Sequence, residues 1–155
     1  MHRLFRLVLA TTILITTLII SVPAEERGTL DDAQKMAQQA IAHIKEVGVE
    51  KAFQDFTAPG GKWHYKDIYV YCYKFDGTCV CHGGQAPLVG KNLFNFRDSG
   101  GQLIIQNEAE LARTKGSGWI DYQWAHPQTK KMEAKRAWVA RIPGYDGFVG
   151  VGAYR

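Results

Sequence analysis

The sequence predicts an α+β domain in which a long N-terminal helix packs on an antiparallel sheet of about five strands. Three observations carry this. Apolar residues recur at spacings of three and four from Leu30 to Val47, the period of an amphipathic helix. From Ile68 onward, β-branched and aromatic runs of strand length alternate with Asp-Gly and Pro-containing turns. The connections between the last three runs are too short for crossover helices, so those strands run antiparallel. At 155 residues, 46% hydrophobic and 22% charged, the chain has the size and balance of one packed domain.

The N-terminus has the pattern of an export leader. Arg3 and Arg6 precede an uncharged stretch from Leu7 to Val22, and Val22-Pro23-Ala24 places short side chains at a cleavage site. Residues 1–24 are therefore expected to be a signal peptide cleaved after Ala24, and residues 25–155 the mature domain. The competing reading is an uncleaved anchor. The apolar run is shorter than the ~20 residues of a membrane span, and threonines dilute it. The protein is accordingly expected in a periplasm or secreted, or membrane-anchored if the leader stays.

Thr29 reads as a helix N-cap, with Asp31 and Asp32 in the first turn where the helix dipole favours negative charge. Gly48 is the expected stop. Val49, Ala52, Phe53 and Phe56 continue as a shorter helix ended by Pro59-Gly60-Gly61. Ile68–Phe75 and Thr78–His82 read as a hairpin about Asp76-Gly77. A loop from Gly83 to Asn92 follows, and Ala109–Lys115 reads as a helix closed by Gly116-Ser117-Gly118. Trp119–Ala125, Glu133–Ile142 and Phe148–Tyr154 complete the strands.

The net charge is +4, and removal of Arg3 and Arg6 with the leader leaves about +2. The basic run from Lys130 to Arg136 is interrupted by Glu133 and reads as a solvated edge. No stripe of basic charge suits nucleic acid, so no nucleic-acid partner is expected. Catalysis needs a constellation of groups. The sequence has no serine elbow, phosphate loop or HExxH, and acids are few on the expected pocket face, where Asp121 and Glu133 look isolated and solvated. An enzyme is not expected, nor is a cofactor.

The stretches YVYCYKFDGTCVCH, PLVGKNL, GSGWIDYQW, HPQTKKMEAKRAWVARIPG and FVGVGAY occur in this order behind the leading helix. Together they resemble the single-Cache domain family of the second type, PAS-like extracytoplasmic sensor modules. The resemblance implies a long helix behind a curved, PAS-like antiparallel sheet. It also implies a pocket on the other sheet face for a small organic acid, amino acid or similar metabolite. Two departures stand out. Gly83 replaces the proline that often follows the histidine matching His82. No membrane span, signalling helix or kinase is expected after Arg155, unlike the family's usual arrangement. The expected role is therefore binding without an output of its own, with a membrane receptor or kinase as partner, or a homodimer through the N-terminal helix.

Strand alternation sorts the hairpin residues by face. A two-residue turn sets Tyr73 opposite Val80 and Tyr71 opposite His82; a four-residue loop sets Tyr73 opposite Thr78 and Tyr71 opposite Val80. Both registers put Tyr71, Tyr73, Val80 and His82 on one face and Cys72, Cys79 and Cys81 on the other. The tyrosine face is assigned to the pocket, because tyrosine and histidine combine apolar rings with hydrogen-bonding tips. In the next strands Ile120, Tyr122 and Trp124 share a face, and Tyr122 and Trp124 match the family's aromatic pair. Lys135 matches the family's usual lysine, and an ammonium favours a carboxylate. Trp138 reads as core. Gly150 and Gly152 are expected to let a ligand or a neighbouring strand approach closely.

Three cysteines fall within ten residues. An exported chain lies where disulfides form, so Cys72 is expected to bridge to Cys81 in the two-residue register or to Cys79 in the four-residue one. The alternative function is a thiol/disulfide, haem or metal-binding protein using Cys79-Val80-Cys81-His82. That segment has one residue between its cysteines where haem attachment uses two, and Cys81 and His82 point to opposite faces.

Overall fold

The structure is a computed structural model, which describes residues 26–155. The expected leader lies outside the described residues. Helix α1 (Leu30–Val47) begins as the sequence predicts: Thr29 Oγ1 accepts from Asp32 N, and the Asp32 carboxylate accepts from Thr29 N. Such reciprocal capping contributes about 1 kcal/mol. Gly48, at φ 85°, takes a backbone conformation that side chains disfavour, and the chain turns there into α2 (Val49–Thr57).

Among the described residues six strands follow: β1 (His64–Tyr65), β2 (Ile68–Lys74), β3 (Cys79–His82), β4 (Ser117–Ala125), β5 (Met132–Arg141) and β6 (Gly147–Tyr154). The additional strand over the expected five is β1, a two-residue bridge folded back on the start of β2. The sheet order is β1-β2-β6-β5-β4, with β3 also paired to β2 and every named pairing antiparallel. Helix α3 (Ile104–Lys115) precedes β4 and starts five residues before the expected Ala109. Its N-cap is Leu103, which makes no side-chain capping bond.

The two sheet faces have separate cores. On one, α1 and α2 lay Ala33, Ala37, Ala40, Ile44, Ala52 and Phe56 against Ile68, Val70, Cys72, Val149, Val151 and Ala153. Alanines on α1 allow close helix–sheet approach, and Trp138 packs at the margin of this core. The other face carries Tyr69, Tyr71, Tyr73, Tyr122, Trp124, Phe148 and Tyr154, covered by Ile104, Ile105 and Ala109 of α3. The first helix does not cross it.

The β2–β3 hairpin departs from both expected registers. Lys74 N donates to Thr78 O and Gly77 N to Lys74 O, so the loop is the three residues Phe75–Gly77. Tyr73 then faces Cys79. A bulge follows, after which Cys72 faces Cys81 and Tyr71 faces His82. Val80 is the extra residue. It packs toward the helix-side core, whereas Cys79 joins the tyrosine side. The expected faces of Val80 and Cys79 are thus exchanged, because an odd loop inverts the alternation and the bulge restores it only for Cys81 and His82. The exchange corrects two further expectations. Cys79 lies across the sheet from Cys72 and is not its bridging partner. Cys79 and His82, expected to point apart, lie on one face.

Candidate functional site

The six residues assigned to the pocket, Tyr71, Tyr73, His82, Tyr122, Trp124 and Lys135, line one cavity together with Tyr69, Ile104, Ile105 and Glu108. Alternation along β2 supplies the tyrosines, and the β4–β5 register sets Tyr122 opposite Lys135. Two glycines of β6 form the floor. A Cβ at Gly150 would stand 2.2 Å from the Tyr71 ring, and one at Gly152 would stand 2.5 Å from Lys135 Cε. The expected close approach at these glycines is therefore made by the site's own side chains.

The roof is α3 and the segment leading to it. Asp98 Oδ1 accepts from Gly100 N and Gln102 N, while Oδ2 accepts from Gln123 N of β4, which ties this segment to the sheet edge. Phe96 meets the Trp124 ring edge-on at 5.6 Å. The cavity volume is small, about 10 Å³, about what one water molecule requires. The aromatic side chains nearly meet across the site.

Lys135, read from the sequence within a solvated run, is 2% exposed. Its stem runs over Gly152, and its ammonium lies 4.0 Å from the centre of the Tyr69 ring, 4.7 Å from Tyr154 and 5.7 Å from Tyr71. These ring faces stabilise a cation. Among the described residues no carboxylate comes within ion-pair distance of it.

Glu108 is the residue that sequence reasoning missed, and it corrects the expectation that this face lacks a significant acid. It is fully buried on α3. Tyr71 donates to Glu108 Oε1 at 2.6 Å, and the Tyr122 hydroxyl lies 3.1 Å from that of Tyr71. With the Tyr71 proton directed at Glu108, Tyr122 donates to Tyr71. Burial pushes the Glu108 carboxyl up to about 8, against the opposing pull of the Tyr71 hydrogen bond and the Lys135 charge. A signal did exist in the sequence: Glu108 lies on the stripe of Ile104, Ile105, Ala109 and Ala112, the single acid in an otherwise apolar helical face.

His82 accepts from Gln85 N at Nδ1. Burial, with the Lys135 charge adding to it, holds the ring down to about 3, so at neutral pH the ring is neutral with its proton on Nε2. The ring lies 6.0 Å from both Tyr71 and Trp124 in near-parallel stacks. Three buried polar atoms on this face have no hydrogen-bond partner among the described residues: Tyr73 Oη, Trp124 Nε1 and Glu108 Oε2.

All three cysteines are buried and stand unbridged. Cys72 and Cys81 stand opposite each other on the helix face. Burial pushes the Cys79 thiol up to about 12, which keeps it protonated and poorly nucleophilic. Among the described residues no cluster of three His, Cys, Asp or Glu has metal-binding geometry.

A polar chain leaves the cavity toward the start of α1. Tyr69 and Tyr154 hydroxyls are 3.2 Å apart, the Tyr154 ring packs edge-on to His126, and His126 Nε2 lies 3.3 Å from Asp67 Oδ2. Asp67 Oδ1 accepts from Gly28 N. The outward face of α1 exposes Lys35, Gln38, Gln39, Lys45 and Glu46, so a homodimer through this helix would meet a polar surface. No helix among the described residues is long and apolar enough to cross a membrane.

Comparison with known proteins places this geometry. A family model described as Cache domain matches residues 29–155. A sensor histidine kinase, MctS of Rhizobium johnstonii, is 32% identical over 91 residues, which are 57% of this chain and 19% of the kinase. The chain thus spans about a fifth of that relative's length. Among solved structures, a methyl-accepting chemotaxis protein from Vibrio parahaemolyticus superposes with a TM-score of 0.69 at 20% identity, covering 80% of this chain and 86% of that one. A Cache chemosensory domain described for its carboxylic acid recognition gives 0.69 at 17% identity, with coverages of 80% and 91%. A periplasmic sensor domain of a chemotaxis protein gives 0.64 at 23%, with coverages of 80% and 88%. At these identities the likeness is one of fold.

Proposed function

Because this chain belongs to the Cache domain family, we propose that it is an extracytoplasmic sensing module that binds a small carboxylate beneath α3, with Lys135 supplying the charge. The observation that carries the reading is the buried Lys135 ammonium, which lines the cavity without a carboxylate partner among the described residues. Burying a charge without a counter-ion is costly, and a bound carboxylate would supply one. The Trp124 Nε1–H, the Tyr73 hydroxyl and His82 Nε2–H add donors around an acceptor-only ligand. A likeness in fold to a domain described for carboxylic acid recognition points the same way.

In this reading Tyr71, Tyr73, His82, Tyr122, Trp124 and Lys135 are the ligand-binding residues. The cavity is too small for an organic acid as it stands, so binding moves α3 and its leading segment outward. The chain carries no catalytic role, and its bound state is read by a membrane receptor or kinase.

A thermal-shift series with acetate, propionate and pyruvate tests this, repeated on Lys135→Met, which keeps the stem and removes the charge. A ligand at one hundred times its dissociation constant stabilises the fold by about 2.7 kcal/mol. Dose-dependent stabilisation of the wild type, lost in Lys135→Met, is expected. Stabilisation that survives this substitution would remove the cavity from the function.

A further inference from the structure

Resting on the carboxylate reading, we infer that Glu108 is a ligand-contacting residue that admits the carboxylate only together with a proton, held between the two carboxyl groups, and so selects small monocarboxylates over dicarboxylates.

The charges and hydrogen bonds inside the cavity lead here. Its lining contains one cation, Lys135, and one acid, Glu108, both buried. A bound carboxylate would bring a second carboxyl group into the small cavity that Glu108 and Lys135 already line. Two carboxylates sharing such a site do not both stay ionised. Tyr71 already donates to Glu108 Oε1, so the acid proton belongs on Oε2, the oxygen without a partner. Protonated, Oε2 joins the Trp124 indole and the Tyr73 hydroxyl, and every unpartnered polar atom on this face is then a donor. That set matches a carboxylate, whose oxygens only accept. Ionised, Oε2 would oppose the ligand's own charge. A second ligand carboxylate would bring another negative charge into a site with a single cation.

Titratable and charged groups face Glu108 from every strand packed against it. These are Tyr69, Tyr71 and Tyr73 from β2, Cys79 and His82 from β3, Tyr122 from β4, Lys135 from β5 and Tyr154 from β6. Burial drives the phenols of Tyr71, Tyr73, Tyr122 and Tyr154 upward and the Cys79 thiol up to about 12, and it holds His82 down to about 3. Glu108, at about 8, falls inside the range from pH 6 to 9.

The test is calorimetric titration with acetate, and with succinate as the dicarboxylate, from about pH 6 to 9 on the wild type and on Glu108→Gln. Gln keeps an acceptor for Tyr71 and offers an N–H donor in place of the acid proton. The wild type should lose acetate affinity toward about tenfold per pH unit above about pH 8, as one proton becomes obligatory. It should bind succinate at least about tenfold more weakly throughout. Glu108→Gln should bind acetate with little change across the range. Wild-type affinity that stays constant from pH 6 to 9 would overturn the inference and leave the proposed function standing. Absence of acetate, propionate and pyruvate binding at every pH would overturn both. Should Glu108→Gln not fold, infrared spectroscopy of the wild type decides. A protonated-carboxyl carbonyl band at neutral pH that shifts on acetate addition is expected, and no such band would sink the inference.

Discussion

The two faces of the sheet use the same strands for opposite purposes. On the helix side, β2 and β6 present Ile68, Val70, Cys72, Val149, Val151 and Ala153 to the alanine-rich face of α1. This core is apolar and needs no outside partner. On the α3 side, neighbouring positions of the same strands present tyrosines, and the sheet also supplies His82 and Lys135, facing Glu108. Here buried groups are titratable and several polar atoms are unsatisfied. A folded protein tolerates such groups where a ligand completes them, at a cost to the empty state. On the proposed reading the helix side holds the fold and the α3 side takes the ligand, so substitutions should separate the two.

The largest effect expected is on the α3 side. Lys135→Met should abolish carboxylate binding, at least about 100-fold by calorimetry, because the charge-assisted contact is lost. The unliganded melting temperature should stay level or rise, since an unpaired buried charge disappears. A variant that binds normally would contradict the division of faces. Next in size is Gly150→Ala. Its Cβ would collide with the Tyr71 ring, which should cost about 1–3 kcal/mol in chemical denaturation and displace Tyr71 from Glu108. On the helix side, Ala37→Leu should cost a similar ~1–3 kcal/mol by overpacking. It should leave the affinity for acetate within about twofold; a loss of binding comparable to that of Lys135→Met would blur the comparison.

The pH dependence of stability sharpens it further. Glu108 has its folded pKa raised from 4.5 to about 8, so the folded state binds the proton more tightly than the unfolded chain. Stability contributed by this group is present below about pH 4.5 and declines as pH rises toward 8. His82 has its folded pKa lowered from 6.5 to about 3, so its contribution is present above about 6.5 and declines as pH falls toward 3. The two oppose each other between about 4.5 and 6.5. Melting curves of Glu108→Gln should therefore gain on the wild type as pH rises from about 6 to 8, and equal gains at pH 5 and 8 would contradict this. The smallest effect is on the cysteines. We propose that, in an oxidising compartment, a bridge forms between Cys72 and Cys81, which face each other in register. Alkylation in denaturant without reductant should then label Cys79 alone; labelling of all three would reject the bridge.

Much of the fold was legible from local rules. The Thr29 cap, the Gly48 break and the period of α1 are local features, and the structure follows them closely. The tyrosine face was legible because alternation along β2 is independent of what it pairs with. What escaped depended on tertiary structure. The odd hairpin loop and its bulge exchange Cys79 with Val80, and nothing in Asp76-Gly77 distinguishes a two-residue turn from the three-residue loop found. Helix α3 starts at Ile104-Ile105, β-branched residues that favour strands, and it lacks a side-chain cap. The sequence therefore reads as helical only from Ala109, one residue beyond Glu108, which hides the acid of the site. Lys135, by contrast, was legible through its match to the family's lysine, although it sits beside exposed charges in the sequence and the sheet register is what turns it inward.

The central claim, that the α3 side of the sheet encloses a carboxylate, is most directly tested by the indole N–H signals of the four tryptophans during an acetate titration followed by NMR. Trp124 Nε1 is buried without a partner in the cavity, whereas Trp63 belongs to the helix-side core. The account predicts a saturable shift of the Trp124 indole signal with Trp63 unmoved. Saturable acetate binding that leaves Trp124 in place, or that moves Trp63 instead, would contradict it.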